Sequence, residues 1–242
     1  MRTNANVLQE KVISDLNMRK ILFETCLTKK NAWNSKIQVE IALDKSGSIP
    51  SLYQNGTLQT IIEMLFPFAL IFNNNKMLNV STFSDSIQIY EPVSESNLYN
   101  YILDEIITKH PFPLCGSRNF SPIMNQILNH HIAENHPDSS RLVFFITNGD
   151  GYDLEKYRTV LHESSKYNLF WQFITLESNF QRKFISKNPI SLECANNTGF
   201  LSISLNNSIF YERLYDLLLN KYLRWEKEAK IKGILPKRLD VA

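Results

Sequence analysis

The chain has 242 residues, of which 43% are hydrophobic and 21% are charged, the composition of an ordinary globular protein. The formal net charge is only +2, so no overall field favours nucleic acid or an anionic membrane as a partner. No apolar run approaches the roughly 18 residues of a membrane span, the N-terminus is too polar for a signal peptide, and the three cysteines lack metal-site spacing. We therefore expect a cytoplasmic protein.

The first 36 residues differ in pattern from the rest of the chain. Residues 1–36 are polar and predict an N-terminal arm or helix, while residues 236–242 predict a C-terminal tail. Between them, residues 37–235 alternate short apolar runs with longer amphipathic stretches. This alternation is typical of a βαβ series and predicts a single main domain.

Five strands and five helices are predicted in chain order. The strands are Ile37–Leu43, Met77–Phe83, Arg141–Thr147, Leu169–Leu176 and Gly199–Leu205. The helices are Leu52–Phe72, Glu95–Thr108, Pro122–Ala133, Leu154–Tyr167 and Ser208–Ile231, with Ser121 as the expected N-cap of the third. In the first strand Gln38 and Glu40 alternate with apolar residues, so one of its faces is expected to be partly exposed. We expect a three-layer α/β sandwich with a doubly wound, mostly parallel sheet of about six strands.

A group of oxygen donors follows the first strand, in the stretch Asp44-Lys45-Ser46-Gly47-Ser48. Gly47 allows a sharp turn, so the carboxylate of Asp44 and the hydroxyls of Ser46 and Ser48 can converge at the carboxyl end of the strand. Three hard oxygen donors suit a divalent cation such as Mg²⁺. A capped helix start is the alternative interpretation, because Asp, Ser and Gly are common in any strand-to-helix turn.

This stretch resembles the Asp-x-Ser-Gly-Ser hallmark of the metal-ion-dependent adhesion site (MIDAS) in von Willebrand factor A domains. More narrowly, the chain resembles the A-type domain of the tellurium-resistance (Ter) stress-response family, and more distantly the copine A domains. The segments that carry the Ter resemblance are Leu52-Tyr53, Gly56, Gln59, Leu214-Tyr215-Asp216-Leu217-Leu218 and Trp225, and Asn119-Phe120-Ser121-Pro122 carries the copine likeness. The resemblance implies a cytoplasmic binding domain that holds Mg²⁺ (or Mn²⁺ or Ca²⁺) and engages a carboxylate of a partner protein.

Two departures from the family pattern affect the metal site. Arg118 stands where the family has a threonine ligand, although the hydroxyl of the neighbouring Ser117 is available, and Asn148 replaces a carboxylate. One interpretation keeps a weakened site made of Asp44, Ser46, Ser48, Ser117 and Asn148. The alternative is a degenerate A domain in which Arg118 pairs with Asp44, takes the place of the cation and leaves a metal-independent binding surface.

Catalysis has little support from the same residues. A phosphoryl-accepting aspartate at Asp44 requires a second acid two residues later, and that position is Ser46. A serine nucleophile requires a partnered base, and no histidine is placed by the sequence to serve one. We therefore expect a stress-response binding or adaptor domain rather than an enzyme.

Overall fold

A computed structural model of the chain describes residues 4–109, 116–175, 197–203 and 210–236. Several predicted positions lie outside these ranges. They are Cys115, Cys194, the strand ends Leu176 and Leu205, the helix start Ser208, and residues 237–242 of the predicted tail.

The described residues form six strands and six α-helices, with a short π-helical segment. The strands are β1 (Ile37–Asp44), β2 (Leu78–Phe83), β3 (Ile87–Val93), β4 (Ser140–Ile146), β5 (Leu169–Thr175) and β6 (Thr198–Ser202). The helices are α1 (Asn4–Lys30), α2 (Pro50–Gln54), α3 (Thr57–Phe72), α4 (Ser121–Glu134), α5 (Leu154–Ser164) and α6 (Tyr211–Ile231), and the π-helical segment is Ile102–Thr108.

The strands form one sheet in the order β3-β2-β1-β4-β5-β6, in which every pairing except β2 with β3 is parallel. The predicted doubly wound α/β fold is therefore confirmed. Strand β3 has no counterpart among the five predicted strands. Its partly exposed side chains and its internal Pro92 suit an antiparallel edge strand, where proline removes no hydrogen bond that the sheet requires.

One predicted helix is interrupted and another begins later than the sequence indicated. The predicted helix Leu52–Phe72 is divided into α2 and α3, because Gly56 between them adopts a left-handed conformation with φ of 80°. The predicted helix Glu95–Thr108 begins with turns, and its π-helical part starts only at Ile102. In both cases the apolar spacing identified which face of the helix is buried, but it did not show where the helix is interrupted or where it begins.

Two apolar cores cover the two faces of the sheet, one beneath α1, α3 and α6 and the other beneath α4 and α5. The first core includes part of α1: Phe23 is fully buried, with its ring centroid 4.1 Å from that of Phe68 and 5.2 Å from that of Tyr215. The guanidinium of Arg19 lies 3.2 Å from the carboxylate of Glu63 on α3. The N-terminal helix therefore packs as part of the same hydrophobic core as the sheet. None of the described helices is long and apolar enough to cross a membrane.

The contribution of α1 is tested by Phe23→Ala. Because the ring is fully buried among aromatic side chains, we expect the free energy of unfolding to fall by about 3–5 kcal/mol, measured by chemical denaturation. Ile21→Ala is the matched control on the same helix, since Ile21 is 61% exposed and its truncation should change stability by about 0.5 kcal/mol or less. Equal effects of the two substitutions would show that α1 is not part of the cooperative fold.

Candidate functional site

The site lies where the two central strands end. Strands β1 and β4 are parallel neighbours, so Asp44 at the end of β1 lies beside Thr147, which directly follows β4. Asp44 has no exposed surface. A carboxylate buried in this way needs a compensating charge and hydrogen bonds, because desolvation penalises the ionised form.

Three groups donate hydrogen bonds to the Asp44 carboxylate. Oδ1 accepts from the backbone N–H of Ser46 at 2.8 Å. Oδ2 accepts from Nε of Arg118 at 2.7 Å and from the hydroxyl of Thr147 at 2.9 Å. Both oxygens are therefore engaged, and the charge is paired with a guanidinium whose side chain is only 8% exposed.

The remaining nitrogens of Arg118 are also held. Nη2 donates to the hydroxyl oxygen of Ser48, and Nη1 donates to the backbone carbonyl of Asp150 at 3.3 Å. Gly149 passes so close that a Cβ atom built there would collide with Nη1 of Arg118. The absence of a side chain at this position therefore makes room for the guanidinium.

Two carboxylates from other loops fix the segment that carries Arg118. Asp153 accepts from the backbone N–H of Phe120 at 2.8 Å and of Ser121 at 2.7 Å, and so caps α4 from outside. Ser121 was predicted to be this cap, but here it is the first residue of the helix and donates to Asp153. On the other side, Asp85 accepts from the backbone N–H of Ser117 at 2.9 Å.

Tyr53 holds the end of β1 in place through a hydrogen bond to its backbone. Its hydroxyl donates to the backbone carbonyl of Asp44 at 2.9 Å. Burial, and then the negative charge of Asp44, raise the pKa of Tyr53 well above its usual value, so the phenol stays protonated and remains a donor. The position of the carboxylate is therefore set through the backbone as well as through the side chain.

The structure brings together part of the predicted ligand set. The hydroxyl oxygens of Ser46 and Ser48 lie 3.5 Å apart beside Asp44. Ser117 is exposed and contributes its backbone N–H to Asp85, while Asn148 is half-buried directly after Thr147. Thr147, rather than its neighbour Asn148, supplies the side-chain contact with Asp44 from this strand.

This arrangement does not fit a divalent cation as it stands. The Asp44 oxygens and the Ser48 hydroxyl face Arg118, whose charge is in the position where an ion would be needed. A divalent ion about 4 Å from a guanidinium meets a repulsion on the order of 8 kcal/mol at an effective dielectric near 20. In the described residues, moreover, no group of three or more His, Cys, Asp or Glu side chains is placed to hold a metal.

The sequence analysis did not identify Thr147, Asp85 or Asp153 as site residues. Thr147 directly follows β4, Asp153 immediately precedes α5, and Asp85 lies in the turn between β2 and β3. Positions in the loops at the carboxyl edge of a parallel sheet are the available signal. That signal is weak because Asp and Thr occupy many loops that have no role in a site.

Comparisons with known proteins agree with the fold. A family described as a von Willebrand A domain found in the TerF C terminus matches residues 36–235. The uncharacterized protein YcbR of Bacillus subtilis (strain 168) is 30% identical over 225 residues, which are 92% of this chain and 91% of that protein.

Solved structures share the fold at low sequence identity. The manganese-loaded TRAP protein of Plasmodium vivax has a TM-score of 0.52 and 14% identity, over 76% of this chain and 74% of that one. Proximal thread matrix protein 1 from the mussel byssus has a TM-score of 0.53 and 12% identity, over 79% of this chain and 48% of that one.

The packing of Arg118 against Gly149 is tested by Gly149→Ala. The added methyl group displaces the guanidinium, so we expect a loss of about 1–3 kcal/mol in the free energy of unfolding, measured by denaturant titration. In an Arg118→Ala background the same substitution should cost less, because the colliding group is gone. Gly56→Ala is the control for backbone strain alone, since no atom lies within 4 Å of its Cβ position. An equal penalty for Gly149→Ala in both backgrounds would contradict the proposed contact.

Proposed function

This chain belongs to the vWA-TerF-like family, and we propose that it is a metal-independent protein-binding domain in which Arg118 serves as a built-in cation. The observation that carries the proposal is the buried contact of Arg118 with Asp44 at 2.7 Å. In metal-dependent A domains, the corresponding aspartate faces an exchangeable ion. Here the positive charge belongs to the chain, and binding of a partner therefore does not depend on the free metal concentration.

The surface above this centre can recognise a partner through neutral polar groups and one aromatic ring. We define the upper face as Ser48, Ser117, Asn119, Asn148 and Tyr152. Tyr152 is 76% exposed, and its backbone N–H donates to the carbonyl of Arg118 at 2.8 Å. An exposed tyrosine on a fixed backbone is a suitable anchor for a protein interface, because it offers a large contact area at a low cost in entropy.

Ser48 links the buried charge to the upper face. Its oxygen accepts from Nη2 of Arg118, while the residue itself is exposed. Because the guanidinium occupies a lone pair of this oxygen, the hydroxyl proton is available to be donated outward. We propose that it is donated to a carboxylate on the partner protein, so that the same class of acidic partner is engaged without a metal.

The biological setting of the proposal comes from the family. The Ter resemblance supports a stress-response adaptor that works in the cytoplasm by binding rather than by catalysis. A metal-dependent version of this function is the second candidate, and the intact stretch from Asp44 to Ser48 favours it, since Ser46 and Ser48 converge beside the carboxylate. The two candidates differ in whether Arg118 or a divalent ion neutralises Asp44.

Titration calorimetry with Mg²⁺ and Mn²⁺ separates these candidates. We expect no saturable binding to the wild-type chain, and saturable binding to Arg118→Thr, which restores the hydroxyl that the family uses. Without metal, Arg118→Thr should lose about 3–5 kcal/mol of stability, because Asp44 is left as a buried unpaired charge. Addition of Mg²⁺ at about 100 times its dissociation constant should recover about 2.7 kcal/mol of this loss.

Asp44→Asn in the Arg118→Thr background is the control, since it should abolish both the metal binding and the recovery of stability. Arg118→Lys is a second variant that keeps the charge but loses the several directed hydrogen bonds. It is expected to remain metal-free and to be better folded than Arg118→Thr. Saturable Mg²⁺ binding by the wild-type chain that disappears in Asp44→Ala would replace our proposal with the metal-dependent candidate.

A further inference from the structure

A polar cavity lies at the opposite end of the sheet from Asp44. It has a volume of about 780 Å³ and lies at the amino ends of β1, β2 and β4, between the turn before β1 and the loop before β4. Cavities of this size fall within the range that binds small ligands and long side chains. We call it the lower cavity, and its charged and aromatic lining includes Trp33, Lys36, Glu40, Glu134, Asp138 and Arg141.

Carboxylates outnumber cations in this lining. Arg141 on β4 has a side chain that is only 4% exposed, and it donates to Glu40 at 3.0 Å and to Glu134 through a separate nitrogen. One guanidinium is thus shared between two glutamates, while Lys36 and Asp138 line the same cavity. Gln38 also accepts from Arg141, at 2.9 Å. This contact explains the polar alternation in the first strand, because the polar side chains of β1 face the arginine on the neighbouring strand.

Acceptor capacity remains after these contacts are made. Glu40 uses Oε1 for Arg141, and among the described residues no hydrogen bond reaches its other oxygen or the carboxylate of Asp138. Asp138 is exposed, whereas Glu40 is half-buried within the lining. The cavity therefore offers one exposed carboxylate, from Asp138, and one half-buried carboxylate, from Glu40. A long cationic side chain that enters the cavity is able to reach both.

Trp33 adds an aromatic surface to the cavity. The residue is 47% exposed, and its indole N–H donates to the hydroxyl of Thr28 on α1 at 3.0 Å, so the ring is held in place. The other two tryptophans, Trp171 and Trp225, are buried. A fixed, exposed indole beside carboxylates is a favourable arrangement for a cation, because the ring face attracts positive charge and stacks well with a planar guanidinium.

We propose that the lower cavity binds an arginine side chain of a partner protein. The guanidinium stacks on Trp33 and donates hydrogen bonds to Glu40 and Asp138. This site is separate from the upper face and does not depend on the contact between Arg118 and Asp44. With two binding surfaces at opposite ends of one sheet, the domain is able to bridge two partners.

The test uses the full chain and its intrinsic tryptophan fluorescence, in which the exposed Trp33 is expected to respond to a ligand and the buried Trp171 and Trp225 are not. The probe is the pentapeptide acetyl-Gly-Arg-Gly-Arg-Gly-amide, and the matched control is the same peptide with citrulline, which is neutral, in place of arginine. We expect a saturable change in emission with the arginine peptide and binding at least about tenfold weaker with citrulline, because charge-assisted hydrogen bonds are lost.

Substitutions then assign the binding to the cavity, with affinities measured by calorimetry. Trp33→Ala should weaken binding by about fivefold, and Asp138→Asn by about threefold. Both residues are exposed, so neither substitution is expected to unfold the chain. Glu155→Gln on α5, at a side chain that is 82% exposed and outside the cavity, should leave the affinity unchanged.

Equal affinity for the arginine and citrulline peptides would overturn the proposal, and so would unchanged binding in both Trp33→Ala and Asp138→Asn. The metal titration reports on Asp44 and Arg118, whereas the peptide titration reports on Trp33 and Asp138 at the other end of the sheet. The metal titration and the peptide titration can therefore fail separately.

Discussion

A negative charge with no exposed surface, placed at the end of a central strand, must be neutralised within the protein. Asp44 is in this position, and Arg118 supplies the charge through a contact of 2.7 Å. The surrounding structure accommodates this pair: Gly149 leaves room for the guanidinium, and Asp153 holds the start of the helix that follows Arg118. Removal of one partner of such a buried pair is much more costly than the net stabilisation that the pair contributes, because the other charge is then left unpaired.

The same pair underlies our proposal that the domain binds its partner without a metal ion. An exchangeable ion couples binding to the concentration of free metal and to the ligands that the partner supplies. In the function that we propose, a guanidinium that is part of the chain removes this coupling, because it neutralises Asp44 without an ion. Under this proposal Ser48, which accepts from Arg118, presents a polarised hydroxyl at the surface, and the partner is recognised through hydrogen bonds and the exposed ring of Tyr152.

The buried arginines at the two ends of the sheet differ in how they are paired with carboxylates. At the carboxyl end, Arg118 matches a single carboxylate, and all of its nitrogens have partners. At the amino end, Arg141 is shared between Glu40 and Glu134, and negative charge remains beside the exposed Trp33. The first arrangement is closed and favours rigidity, whereas the second leaves acceptors and an aromatic surface for a ligand.

Local sequence determined the succession of strands and helices, because apolar periodicity reports which faces are buried, and it placed Asp44, Ser46 and Ser48 in one loop. It also identified Arg118 as the residue in conflict with a metal site, but it left open whether Arg118 faces Asp44. That choice depended on the tertiary structure, because residues 74 positions apart meet only when the loop before α4 reaches the end of β1. The external cap from Asp153 and the lower cavity were likewise decided by tertiary structure, since each depends on contacts between segments that are distant in the chain. Strand β3 pairs with the adjacent β2, but its exposed Ile89 and its internal Pro92 obscure the alternation that would have identified it from the sequence.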